Sequence, residues 1–277
     1  MTELGTATST DLGRTLERLQ EAEPLVQALT NQVTMNDVAN LILHWGALPV
    51  MADSPGDAGE MAQIAGGVLI NAGQIEEYKV EAMIEAGRAA NDRGIPVVLD
   101  PVGVGSTSSR KAVAERLLSE VDFAAIKGNY GEISALSGVE ADVKGVESIG
   151  DYDDIDETAR SLADSTGAVV VASGVEDIVV DHHRAVGVAA GHEMMGEVVG
   201  TGCMLGATLA AFCGALEDNR AGALFGTLAF GLAGERATDL SYNGPASYKT
   251  NFLDSVAEFS PAIVDEIDLE GRVTRLE

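Results

Sequence analysis

The chain reads as an α/β protein: a mostly parallel sheet with helices on both faces. Three observations predict it. Short apolar runs such as "GGVLI" and "AVVVA" recur between longer stretches with helical spacing, the pattern of βαβ units whose strands are buried on both sides. Polar residues and glycines gather just after those runs, where open α/β sheets bind ligands. The 277 residues are 46% hydrophobic but only 4% aromatic, so Ala, Val, Leu and Ile must fill the interior. That length suits one α/β domain, residues 1–277, better than two.

The elements follow in order. Residues 11–22 have an amphipathic helical period, with Ser9 or Thr10 as cap. "PLVQALT" (24–30) is a strand, and "MNDVANLILHW" (35–45) is a helix starting near Asn36. "ALPVMA" (47–52) is a strand, 57–65 a short helix, and "GGVLINAG" (66–73) a buried strand. A helix over 75–92 leads to "IPVVLDPVG" (95–103), a strand that breaks at Pro101. Helix 109–119, strand 123–128 and helix 129–138 come next, followed by helix 154–166 and strand 168–174. The acidic stretch "DYDDIDETA" (151–159) marks an exposed helix start, because acids favour the positive helix end. The period then changes. "DIVVDHHRAVGVA" (177–189) looks like two strands around a turn at Asp181-His182, a hairpin expected at one edge of the sheet. Residues 202–258 are mostly helical.

The net charge is −27. Such a field repels nucleic acid and anionic membranes. The acids are spread thinly, and only five of the 17 basic residues are lysines. An acidic face for a basic partner is one explanation. Adaptation to a salt-rich cytoplasm, where screening removes the self-repulsion, is the favoured one. Cys203 and Cys213 sit ten apart on one helix and lack a CxxC partner, which fits a reducing compartment. The start "MTELGTATSTDLG" carries no basic stretch followed by an apolar core, and no run of about 18 apolar residues is long enough to span a membrane. The expected location is cytoplasmic.

Polar residues follow each strand in turn: Asn31, Thr34, Asn36 and Asn40; Met51 and Asp53; Asn71 and Gly73; Asp100, Gly103, Ser106 and Arg110; Lys127, Asn129 and Glu132; Ser173 and Gly174. Three stretches stand out. "LDPVGVGSTSSR" puts Asp100 at the end of a buried strand, where it suits Mg²⁺ held through water; a helix or turn cap is the alternative. "KGNYGEI" puts Asn129 and Glu132 three apart at a helix start, an amide and a carboxylate that suit a hydrated Mg²⁺. A capping box explains them equally. "VVGTGCMLGA" places Gly200, Gly202 and Cys203 at the start of a small-residue helix. Exposed amides and the helix dipole there make an anion hole suited to phosphoryl transfer. It is neither a Walker loop nor a GxGxxG fingerprint. A thiol at that position has its thiolate favoured, so Cys203 either receives a proton or positions a hydroxyl. A small buried residue is the plain alternative. The four histidines lack metal-ligand spacing, and His182-His183 reads as a solvated turn.

Seven stretches in order, "ALTNQVTMNDVANLIL", "GALPVMAD", "LDPVGVGSTSSR", "IKGNYGEISAL", "VVASGVEDIVVD", "VVGTGCMLGA" and "GPASYKTNF", resemble the motifs of the hydroxyethylthiazole kinase family. The resemblance covers roughly residues 24–258. It implies a ribokinase-like three-layer α/β/α sandwich with a mostly parallel central sheet. It implies transfer of the ATP γ-phosphate to the hydroxyl of 4-methyl-5-(2-hydroxyethyl)thiazole, and homotrimers with active sites between subunits. By motif, Met51 and Gly200 match substrate contacts, and Asn31 is placed with them. Lys127, where the family often has Arg, and Ser173 match ATP contacts, with Asn129 beside them, and Asn129 and Glu132 match the superfamily's NxxE magnesium motif. Asp100 and Glu132 are the expected Mg²⁺ ligands. Cys203 stands where many ribokinase relatives carry a catalytic Asp, with Gly200 and Gly202 forming the anion hole. Gln27, in place of a common histidine, and the "LHWG" segment depart from the pattern. Two other activities use this fold, repair of hydrated NAD(P)H and phosphorylation of a hydroxymethylpyrimidine, and both normally keep the Asp. A non-catalytic binder should have lost Asp100, the NxxE pair or the glycine turn.

Overall fold

The computed structural model describes residues 8–138, 143–144, 147–148 and 154–276. Strand and helix alternate first: α1 (Ser9–Ala22), β1 (Leu25–Leu29), α2 (Met35–His44), β2 (Leu48–Val50), α3 (Asp57–Ala62), β3 (Gly67–Asn71), α4 (Glu77–Asn91), β4 (Val97–Asp100), α5 (Ser108–Glu120), β5 (Ala125–Asn129) and α6 (Tyr130–Leu136). A small antiparallel pair, β6 (Val143–Lys144) and β7 (Glu147–Ser148), precedes α7 (Ile155–Thr166), β8 (Val169–Ser173), β9 (Asp177–Val180) and β10 (Ala185–Val188). After a 3₁₀ turn at Glu193–Met195 come α8 (Thr201–Ala215), α9 (Asn219–Arg236), α10 (Pro245–Glu258), α11 (Pro261–Val264) and β11 (Val273–Leu276).

The main sheet runs β11-β10-β9-β8-β5-β4-β3-β1-β2. The six strands from β8 to β2 are parallel to their neighbours, and β9, β10 and β11 are antiparallel. Successive side chains serve opposite faces. Val26, Ala28, Leu69, Val98 and Val171 pack on the side of α1, α2, α8, α9 and α10. Val68, Ile70, Val97, Leu99 and Val170 pack on the side of α3, α4, α5, α6 and α7. The result is the helix–sheet–helix arrangement expected from the apolar runs. The strand order reverses at β1, which lies between β3 and β2.

Some local expectations change. The cap of α1 is Thr8, not Ser9 or Thr10. Thr8 has extended backbone, and its Oγ1 accepts the Asp11 N–H while donating to the Asp11 carboxylate at 2.6 Å. Asp11 therefore selects the residue three before it, and Ser9 and Thr10 fall inside the helix. The hairpin turn spans 181–184, because Asp181 Oδ1 accepts the N–H groups of both His183 and Arg184. The hairpin is not the sheet edge: β11 pairs antiparallel with β10 outside it. Of the acidic stretch, residues 151–153 lie outside the described residues, and α7 starts at Ile155 with Asp156 and Glu157 in its first turn. The departures at Gln27 and "LHWG" have packing roles. Gln27 Nε2 donates to the Ala52 and Ala58 carbonyls at 2.9 and 3.0 Å. Trp45 Nε1 donates to Thr208 Oγ1 at 2.9 Å and meets Phe212 edge-on. Among the described residues, no helix is long and apolar enough to cross a membrane.

Helix α8 organises the interior. It is buried from Cys203 to Cys213, so its apolar surface runs all the way round. It lies against β3 at bare-backbone distance. A Cβ on Gly67 would meet the Ala210 carbonyl oxygen at 2.3 Å, and one on Gly214 would meet the Gly66 carbonyl oxygen at 2.8 Å. Only glycines allow this approach.

Candidate active site

The carboxyl ends of β3, β4, β5 and β8 and the amino end of α8 converge. Register aligns the key residues: Asn71 is the ladder neighbour of Asp100, and Asn129 of Ser173. Asn31 follows β1 at the order reversal, the usual ligand crevice of such sheets.

A polar chain crosses this crevice. Asn31 Nδ2 donates to Asn71 Oδ1 at 3.0 Å and approaches Cys203 Sγ at 3.5 Å. Asn71 Nδ2 donates to Asp100 Oδ2 at 2.7 Å. Asp100 Oδ1 lies 3.7 Å from Lys127 Nζ. Both members of that pair are almost wholly buried, at 1% and 4% exposure. Burial, together with the nearby Glu132 charge, outweighs the pull of Lys127 and pushes the Asp100 carboxyl up to about 7. For Lys127 burial works the other way, but the Asp100 and Glu132 carboxylates outweigh it and hold the ammonium above its ordinary value.

The α8 terminus presents as an anion site. Gly200 stands at the cap with φ +99°, a left-handed conformation that favours glycine. Met204 is the first residue whose N–H closes a helical bond, onto the Gly200 carbonyl at 2.9 Å. The N–H groups of Gly202 and Cys203 make no hydrogen bond among the described residues, as expected of a first turn. A Cβ on Gly202 would lie 2.9 Å from Lys127 Nζ. Glycine there lets the ammonium sit against the helix start, so dipole and full charge act on the same point.

Cys203 forms the floor, at 9% exposure. The favoured thiolate expected from its helix position is not what the site produces. Burial, with Asp100 close by, raises the thiol above its ordinary value. Desolvation outweighs the pull of the Lys127 ammonium, and Cys203 is a thiol at neutral pH.

Asn129 and Glu132 form the capping box that was the alternative. Asn129 Oδ1 accepts the Glu132 N–H at 2.9 Å, and Glu132 Oε2 accepts the Asn129 N–H at 2.8 Å. Glu132 Oε1 also accepts the Gly103 N–H at 2.7 Å and so holds the loop after β4. Arg110 is a staple rather than a phosphate ligand: its guanidinium donates to the Ala72, Val102 and Gly73 carbonyls. Met51 is half-buried against the core beyond β2.

Beside the α8 terminus, a cavity of about 540 Å³ runs between the loops after β8 and β10 and α9. Ser173, Asp177, His192, Thr201, Leu205 and Phe230 line it. Ser173 Oγ donates to the Gly128 carbonyl at 3.3 Å, which ties the cavity to β5. A broader depression of about 910 Å³, lined by Arg160, Arg184 and Arg275, lies by the 181–184 turn. That is the amino end of the parallel strands, remote from the polar chain. Sequence reasoning missed Asp177 and His192. Asp177 opens a strand behind a glycine turn, which is a usable signal; His192 carries none, since it lies in an irregular loop.

An α/β/α sheet whose carboxyl edge joins a helix-end anion site, a buried lysine and a cavity of nucleotide size defines a phosphotransferase of the ribokinase-like kind, without a Walker loop. The chain belongs to the hydroxyethylthiazole kinase family, whose pattern matches residues 16–261. It is 51% identical to the hydroxyethylthiazole kinase of Natronomonas pharaonis, over 96% of each chain. The solved structure of the hydroxyethylthiazole kinase protein from Pyrococcus horikoshii OT3 is 34% identical, covers 97% of this chain and 100% of its own, and gives a TM-score of 0.86. A ribokinase-like superfamily protein from Enterococcus faecalis shares the fold at 11% identity, with 93% and 96% coverage and a TM-score of 0.67.

Proposed function

We propose that this chain, acting as one kinase domain, transfers the γ-phosphoryl group of ATP to the hydroxyl of 4-methyl-5-(2-hydroxyethyl)thiazole, a step towards thiamine. The observation that carries the reading is the α8 terminus: two unbonded amides, the Lys127 ammonium against Gly202, and the Cys203 thiol on the floor. In the transfer the hydroxyl oxygen bonds the γ-phosphorus while the bond to the ADP oxygen breaks, and the hydroxyl proton passes to an oxygen of the transferred phosphoryl group and from there to water. That transition state is loose and needs positioning and charge neutralisation more than a strong base. The amides of Gly202 and Cys203, the turn at Gly200 and Lys127 supply the neutralisation. The nucleotide lies in the 540 Å³ cavity lined by Ser173, with Lys127 and Asn129, from the end of β5, contacting its phosphates. Met51, Asn31 and Gly200 hold the thiazole, and the protonated Cys203 orients its hydroxyl.

The residues fit Mg²⁺ as an outer shell. Asp100 Oδ1 is buried without a hydrogen-bond partner. No cluster of three or more acidic, His or Cys ligands exists among the described residues. Two carboxylates facing a hydrated cation that also binds phosphate oxygens is the usual Mg²⁺ arrangement. Bound there, the ion would neutralise phosphate charge, with Asp100 Oδ1 holding one of its waters and Glu132, whose oxygens accept the Asn129 and Gly103 N–H groups, supplying negative charge behind it.

The acceptor side opens at the β2 edge, where the strand is three residues long and Leu43 and Leu48 are 53% and 49% exposed. A homotrimer with sites between subunits would cover this edge, and analytical ultracentrifugation should return three times the 28.7 kDa chain mass. A salt-rich cytoplasm is the setting that suits the charge of −27.

The test is ATP consumption coupled to thiazole phosphate formation, followed by mass spectrometry in high KCl with Mg²⁺. Hydroxymethylpyrimidine and hydrated NADH serve as parallel acceptors. Phosphate on the thiazole alone is expected. A folded protein that leaves the thiazole untouched overturns the reading.

A further inference from the structure

Lys79 is buried, at 3% exposure, yet takes part in none of the chemistry above. Its position is costly. It lies in the first turn of α4, where the helix dipole opposes a cation. Its one ion pair among the described residues is with Asp53, at 3.6 Å, and Asp53 is itself a third exposed. The residues around it on the buried face of α4 are apolar: Val80, Met83 and Ile84. A buried ammonium with one distant carboxylate adds little stability compared with an apolar side chain.

What Lys79 does is join three loops. Its Nζ donates to Gln74 Oε1 at 3.0 Å, in the loop after β3, and pairs with Asp53 in the loop after β2. Gln74 Oε1 also accepts the Gln32 N–H at 3.0 Å, in the loop after β1. Gln32 is next to Asn31, whose amide reaches Cys203 and Asn71, and Asp53 is two residues from Met51. One cation therefore sets the spacing of the two loops that carry Asn31 and Met51.

We propose that Lys79 is a positioning residue for the alcohol acceptor: it holds the loops after β1, β2 and β3 at the separation the thiazole requires and has no part in nucleotide binding. This rests on the acceptor assignment above. The experiment compares wild type with Lys79→Met, Lys79→Arg and Asp53→Asn, the last at a partly exposed site that leaves the core intact. In steady-state kinetics Lys79→Met should raise KM for the thiazole roughly ten- to hundredfold, with KM for ATP within about twofold. Asp53→Asn should move the same constant less, and Lys79→Arg should restore most of the loss. Hydrogen exchange on the protein alone should show the segments 31–34, 52–56 and 72–75 loosening together in Lys79→Met. Equal changes in both KM values, or a lowered melting temperature with the thiazole KM unmoved, would reduce Lys79 to a structural tie. Unaltered exchange in the three loops overturns the clamp whatever the substrate. Loosened loops in a protein whose wild type ignores the thiazole would instead sink the acceptor assignment and leave the clamp standing.

Discussion

A thiol in the first turn of a helix is pulled two ways, by a dipole that favours the anion and by burial that opposes it. At Cys203 burial prevails, and at Cys213, deep in α8, it drives the thiol up to about 12. Both cysteines are free. A disulfide reagent at pH 8 should therefore titrate neither quickly in the native protein and both once it is denatured; rapid native labelling of Cys203 would show that the dipole wins. Asp177 gives a second case. Burial pushes its carboxyl from 3.8 up to about 6. The folded state thus holds that proton more tightly than the unfolded chain. The resulting stabilisation is complete below pH 4 and lost as pH rises through 6. Asp177→Asn keeps an acceptor for the Gly174 N–H. It should flatten the fall in stability between pH 4 and 6, gaining at most about 3 kcal/mol at pH 7, as read from urea melts. At this scale the sequence exposed Asp100, Lys127, Glu132 and Cys203, because strand and helix ends display their polar residues. The contact between Asn31 and Asn71 was not legible, since forty positions separate two amides that were each visible alone. Lys79 was hidden for a different reason: on a helical period a lysine reads as solvent-facing.

The elements themselves were readable wherever an apolar period was long. Nearly every strand and helix between residues 9 and 258 lies within a few residues of its expected span. Four elements had no expected counterpart: β6, β7, α11 and β11, whose "VTRL" is short, carries an arginine, and buries Val273 in the core without showing an apolar period. Glycine contacts were equally invisible, since what they allow is set by the neighbouring backbone. Gly67 and Gly214 let α8 touch β3. Alanine at either should cost about 1–3 kcal/mol by overpacking, measured by thermal melting. Gly200→Ala should cost about 1–2 kcal/mol for its left-handed backbone and push into Thr34, whose Cγ2 lies 2.7 Å from the new methyl. Its larger effect should fall on turnover, because the anion-site turn is what must yield.

For the whole molecule, the net charge of −27 makes self-repulsion the main threat to compactness. Screening shortens from about 10 Å at 0.1 M salt to about 3 Å at 1 M. The melting temperature should rise steadily with KCl over that range. A flat response would argue that the acids answer to a basic partner. The shape of α8 has one further consequence. Fifteen residues make a rod of about 22 Å, clamped along its length by packed neighbours, with its tip beside Lys127 and its tail among the glycines beside β3. A rod held this way moves as one body, so a small shift at the tail is passed on to the tip. Drift in sequence far from any ligand would then be felt as a change in catalytic rate, and selection on turnover would reach into parts of the interior that never meet a substrate.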